Sequence, residues 1–250
     1  MNFQAVSVGQ KLKTGNTNEP NDCPTPTTCL IGGYADALGK TPNSGLQSGL
    51  DFVDAQIGQM VLELRHKGLE QSTLVIITAK HGQSPIDVSQ RQQVKDAPYG
   101  ATPGIDQFTT DDVGLVWLKP SRQQKDYAAA RAYLQAQAKS LGIMTLLDKS
   151  DLASLYGNPF GNNRTPDFIA ITTHGLIYTS GSKLAEHGGF AHDDRNVALL
   201  VYNPGFTPKS VANQVETRQV APTILQALSI RPNELDSVRT ENTNVLPGLE

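Results

Sequence analysis

Two of the chain's five histidines, His81 and His187, stand where an imidazole could meet a ligand. His81 ends the run STLVIITAKHG, with Lys80 before it and Gly82 after it. In open α/β sheets ligands bind beyond the carboxyl ends of strands, and glycine there lets backbone come close to a ligand. His187 opens the run EHGGFAHDDRNVALLV, which holds two histidines, two aspartates and an arginine ahead of a β-branched, apolar stretch. Imidazole and carboxylate are the ordinary ligands of zinc and similar metals. A surface turn is the other reading of His81, and a solvated charged loop is the other reading of the His187 run. His66, beside Lys67 at a helix end, reads as solvated, and His174, in TTHGLIY, reads as part of a structural turn.

The elements that must position these residues follow from periodicity. FQAVSV, residues 3–8, alternates and predicts a strand; residues 13–45, rich in Asn, Thr, Pro and Gly, predict a long loop of the kind that is often functional. Val53, Ile57, Met60, Val61 and Leu64 share one helical face, so residues 46–67 predict a helix with Gly68 as a left-handed cap. TLVIIT, residues 73–78, is apolar throughout, as a central strand covered on both faces would be. Further strands are predicted over 113–118, 167–172 and 196–202, with helices over 123–141 and around Val220–Leu228, where Pro222 is tolerable in the first turn. Helix and buried strand in alternation imply an α/β fold, a three-layer sandwich. Residues 1–250 read as a single domain, with 88–185 partly an insertion or cap.

Composition excludes several classes. A net charge of −3 gives no basic field for nucleic acid and no polybasic stretch for a membrane surface. No apolar run approaches the roughly 18 residues of a membrane span. MNFQAVSVGQ lacks the charged leader and apolar block of a signal peptide. Cys23 and Cys29 do not have a zinc spacing; they read either as free thiols or as a small disulfide loop of an exported protein. No glycine-rich phosphate loop is present, which disfavours a nucleotide-binding module.

Taken in order, STLVIITAKHG, EHGGFAHDDRNVALLVYNPG and VAPTILQALSI resemble the alkaline phosphatase superfamily, most of all its type I phosphodiesterase/nucleotide pyrophosphatase branch, over residues 46–230. The resemblance implies an alkaline-phosphatase-like sandwich around a mostly parallel central sheet. It also implies hydrolysis of phosphate or related esters, with divalent metals, often zinc, flanking the scissile group. Carried over, His81 and His187 are metal ligands. The family's strand ends in Asp-His-Gly, but here Lys80 takes the Asp position. A protonated lysine cannot ligate, yet it offers a fixed positive charge to a phosphate or sulfate. The family's upstream Asp and His have no full counterpart: Val6–Gln10 carries neither, and Asp36 is followed by Lys40 where the histidine would stand. The expectation is therefore a fold incomplete at its N-terminus, with no nucleophile assigned and a small-molecule phosphate ester or similar anion as ligand. No nucleic-acid or membrane partner is expected, and a periplasmic or extracellular location is favoured. A non-catalytic, anion-binding member of the same fold is the alternative.

Overall fold

Residues expected to open the fold as a strand open it as a helix. A computed structural model of the chain describes residues 1–11, 33–36, 40–156, 158–160, 163–181 and 183–249; Cys23, Cys29 and most of the expected loop over 13–45 lie outside them. Helix α1 is Ala5–Lys11. Val6 and Val8 give the alternation of a strand, but packing overrides it. A Cβ on Gly9 would lie 3.2 Å from Leu46 Cα, and one on Gly49 would lie 3.1 Å from Ala5 O. Two glycines thus let α1 lie close against the start of a second helix, and the buried Leu46 seals the contact. That second helix, α2, is Ser44–His66, close to its predicted span. Asn43 caps it, its side chain accepting from Leu46 N at 2.9 Å, and Gly68 ends it with φ +66° as predicted.

The chain divides into two compact units, Met1–Asp54 with His81–Asn196, and Ala55–Lys80 with Val197–Glu250. The strands are β1 (Val75–Thr78), β2 (Gln92–Val94), β3 (Ile105–Thr110), β4 (Val113–Leu118), β5 (Ile143–Asp148), β6 (Phe168–Thr172), β7 (Leu176–Tyr178) and β8 (Leu199–Tyr202). Between them run α3 (Gln123–Ala136), α4 (Ala138–Leu141), α5 (Lys149–Leu152) and α6 (His192–Arg195), with α7 (Val220–Ala227) and α8 (Asp236–Glu241) after β8. Among the described residues, no helix is long and apolar enough to cross a membrane.

In the first unit the sheet order is β3-β4-β6-β5, antiparallel throughout. A mostly parallel central sheet is not what the described ladders form; only β2 and β7 pair in parallel. The reason is local. Asp111 and Asp112 alone join β3 to β4, and a two-residue connection can only reverse the chain. Strands β2, β3, β5 and β7 add to those expected, while β4 has its predicted bounds. One face of the sheet carries Val116, Phe168 and Ala170 against Ala130 and Leu134 of α3, with Tyr99 and Tyr178 completing the core. The other face gathers Val113, Ile169 and Leu152 and takes in Phe190 from the His187 segment. Gly114 is required in β4, because a Cβ there would lie 2.2 Å from Tyr99 Oη.

In the second unit β1 pairs with β8 antiparallel as a two-stranded ribbon. The expectation that β1 is covered on both faces is corrected: Val75, Ile76 and Ile77 are half-buried and Thr78 is exposed. The apolar run serves a short ribbon. Arg65 grips Glu70 with two hydrogen bonds of 2.8 Å, and Tyr202 Oη donates to the same carboxylate at 2.8 Å.

Two outcomes follow. Phe168 is fully buried and packs its ring at 4.7 Å from Tyr127, so Phe168→Ala should cost about 3–5 kcal/mol in denaturant unfolding. The hydrogen bonds from Arg65 and then Tyr202 lower Glu70 from an ordinary 4.5 to about 2. A lowered carboxylate stabilises the fold fully above its ordinary value and loses that contribution as pH falls toward the folded value. Thermal midpoints measured between pH 5 and about 2 should therefore fall less steeply in Glu70→Gln than in the wild type.

Candidate functional site

The two histidine motifs are brought together by backbone. Ser84 and Glu186 form an antiparallel bridge, with Ser84 N donating to Glu186 O at 2.8 Å and Glu186 N donating to Ser84 O at 2.9 Å. Gly82 N donates to Asp194 O at 2.7 Å, which adds a second tie. The glycine is obligatory: a Cβ on Gly82 would lie 1.9 Å from Asp193 O. Gly188 has φ +100°, a left-handed conformation that turns the chain just after His187. Across this closure the rings of His81 and His187 stack, with centroids 3.8 Å apart and planes at 28°. More than a hundred residues of chain separate them.

His81 Nδ1 lies 2.7 Å from Gly82 O. A carbonyl only accepts, so Nδ1 carries the proton of that bond, and in the neutral ring Nε2 is the nitrogen left for a ligand. His187 Nδ1 lies 4.0 Å from Asp111 Oδ2. Asp111, Glu186 and His187 place one ligand atom each within 4.8 Å of one another. Imidazole with carboxylates suits a divalent metal, so the donor set fits one. Glu186 is the constrained member. Its buried carboxylate accepts from Lys11 Nζ at 3.1 Å and from Lys183 Nζ. Burial works against its charge, but those two hydrogen bonds outweigh it and hold the carboxyl below its usual range. Asp111 moves the other way: burial, then the neighbouring Glu186 charge, pushes it up to about 6. Behind this cluster, burial and the adjacent Asp194 push Asp112 up to about 8.

The polar run after His187 does not converge as one ligand set. His192 is exposed on α6, Asp194 is buried beside Asp112, and Asp193 Oδ2 accepts from Ile86 N at 2.9 Å and faces His174 Nε2 at 3.2 Å. His174 sits in the β6–β7 turn, as expected, and His66 is exposed at the end of α2. Lys80 is exposed and belongs to the second unit. Sequence reasoning missed Asp111 and Glu186. The signal for the first was the Asp-Asp pair just ahead of the apolar run VGLVWL, a turn; Glu186 had only its place beside His187.

A profile of the type I phosphodiesterase/nucleotide pyrophosphatase family matches residues 33–194, about two thirds of the chain. The chain belongs to this family. Solved structures agree in fold. Human ectonucleotide pyrophosphatase/phosphodiesterase 5 superposes with a TM-score of 0.59 at 17% identity, over 76% of this chain and 49% of its own. An inactive variant of the murine enzyme, in complex with AMP, superposes with a TM-score of 0.57 at 15% identity, over 76% and 50%. The alkaline phosphatase PafA gives 0.59 at 16% identity, over 75% and 41%. These neighbours support an alkaline-phosphatase-like α/β fold. The chain spans about half the length of the human relative. No curated protein sequence matches it. Family membership implies dependence on a divalent metal.

The backbone closure can be tested at its tightest point. Gly82→Ala should destabilise the protein by about 2–3 kcal/mol in chemical denaturation, because the methyl would have to displace the Asp193 carbonyl. The His81 and His187 ring proton signals should shift together.

Proposed function

We propose that this chain carries part of a metal-dependent phosphoester hydrolase site for small-molecule phosphate esters of the phosphodiester or nucleotide type. The observation behind the reading is the His81–His187 stack, formed between the two motifs that the family uses at its metals. His81, through Nε2, and His187 with Asp111 would hold the divalent metal, and the imidazoles favour zinc. Bound metal supplies polarisation of the phosphoryl oxygen and activation of the attacking oxygen. The chain's own residues do the rest. Gly82 O orients His81, Glu186 is fastened by its two lysines and fixes the backbone beside His187, and Lys80, the residue before His81 in sequence, would offer a positive charge to an anion. No nucleophile is assigned among the described residues. Residues 88–185, which hold the antiparallel sheet, would form the insertion or cap within one domain.

The AMP complex of the murine relative supports a nucleotide-sized ligand, and the relatives' designation as ectonucleotide enzymes supports a periplasmic or extracellular location. Lys80 favours a second reading: where the family has a metal-binding Asp, a cation reduces metal affinity, and the chain would bind an anion without turnover.

Zinc titration calorimetry and bis(p-nitrophenyl) phosphate hydrolysis test both readings. Wild type should bind zinc weakly and turn over slowly. His187→Ala should lower zinc affinity about tenfold or more, and Lys80→Asp should raise it by a similar factor. Zinc affinity unchanged in His187→Ala would sink the metal assignment. Phosphate binding with no turnover in either wild type or Lys80→Asp would favour the second reading.

A further inference from the structure

Asp112 and Asp194 are both 4% exposed, and none of their four carboxylate oxygens has a partner in good hydrogen-bond geometry, although the backbone N–H groups of Asp112, Gly189 and Ala191 lie near them. They lie within hydrogen-bonding reach of each other. With both ionised the two are acceptors only and like charges in contact, an arrangement that is costly to bury without a shared proton or a counter-charge. Gly189 keeps the space between them open. A Cβ built on it would fall 3.0 Å from Asp112 Oδ1 and 3.0 Å from Asp194 Oδ2. Both carboxylates line a small cavity, about 20 Å³, together with Ser84, Thr172 and His174. That volume holds one water-sized particle.

We propose that Asp112 and Asp194 form a binding site for one hard divalent cation, of the magnesium, manganese or calcium type, distinct from the His81–His187 pair. The donors select the cation. His174 lines the cavity, but its Nδ1 is committed to Gln90 Oε1 at 2.7 Å and its Nε2 faces Asp193 Oδ2 at 3.2 Å. What remains is oxygen: two carboxylates and the Thr172 hydroxyl, whose proton goes to Asp112 O at 2.6 Å and whose lone pairs stay available. Oxygen-only donors suit hard cations rather than zinc. A cation here would join the β3–β4 turn to the start of α6, the two segments that carry Asp111 and receive Gly82 N.

Manganese alone is the probe, on the whole chain. Wild type should take up one Mn²⁺ by titration calorimetry, with a rise in thermal midpoint. Asp112→Asn and Asp194→Asn should weaken uptake about tenfold or more and lose the rise. The double variant His81→Ala/His187→Ala should keep both. Paramagnetic broadening of wild-type amides, which needs no variant, should centre on Asp112, Gly189 and Asp194. Broadening centred on His81 and His187, unchanged affinity in the Asn variants, or no response of wild type to millimolar Mn²⁺, Mg²⁺ or Ca²⁺ would each overturn the proposal.

Discussion

One buried carboxylate holds the candidate site together. Glu186 is 1% exposed and lies between the ammonium groups of Lys11 and Lys183, while its backbone is bridged to Ser84. Removing either lysine would leave part of a buried charge uncompensated, a far larger cost than losing a surface ion pair. The histidine stack is downstream of this constraint. His187 follows Glu186 directly, and His81 lies three residues before Ser84. Helix α1 joins the same arrangement through Lys11 O, which accepts from Leu184 N at 2.9 Å, and through Gln10 Oε1, which accepts from Gln83 Nε2 at 2.5 Å.

Around that anchor, the glycines near the histidines answer to geometry rather than to flexibility. Gly82 yields to the Asp193 carbonyl, Gly188 takes a left-handed turn, and Gly189 yields to two carboxylates. Phe190 then enters the apolar cluster with Ile169 and Leu152, which ties the end of the motif to the antiparallel sheet. The polar closure thus rests on a rigid apolar support, as a site with fixed donor positions requires.

Much of this could be read from sequence where the signal was local. The apolar run Val113–Leu118 marked its strand to the residue, and the face of Val53, Ile57 and Leu64 marked α2. Gly68 marked its end. The pairing of His81 with His187 was readable only from the order of family motifs, since neither histidine says anything locally about the other. What escaped was carried by contacts through space. Lys11 lies 175 residues from Glu186, and no periodicity links them. Asp111 and Asp112 form the β3–β4 turn, and the burial of Asp112 comes from the sheet they connect. Val6 and Val8 misled because strand-like alternation says nothing about glycines positioned for helix contact. The mostly parallel sheet was an implication of the family resemblance, and the two-residue β3–β4 turn instead makes an antiparallel pair.

The antiparallel sheet also sets an order of assembly. Strands β3, β4, β5 and β6 all fall within residues 105–172, so their pairings close short stretches of chain. The closure between His81 and His187 needs the chain to return across more than a hundred residues, and the entropic cost of such a return grows with the length of the loop. Contacts of small sequence separation form sooner than distant ones. Once the sheet exists, it shortens the effective loop and holds Phe190 near its final place. The chemistry of the chain is then assembled last, on a surface that local pairing has already prepared.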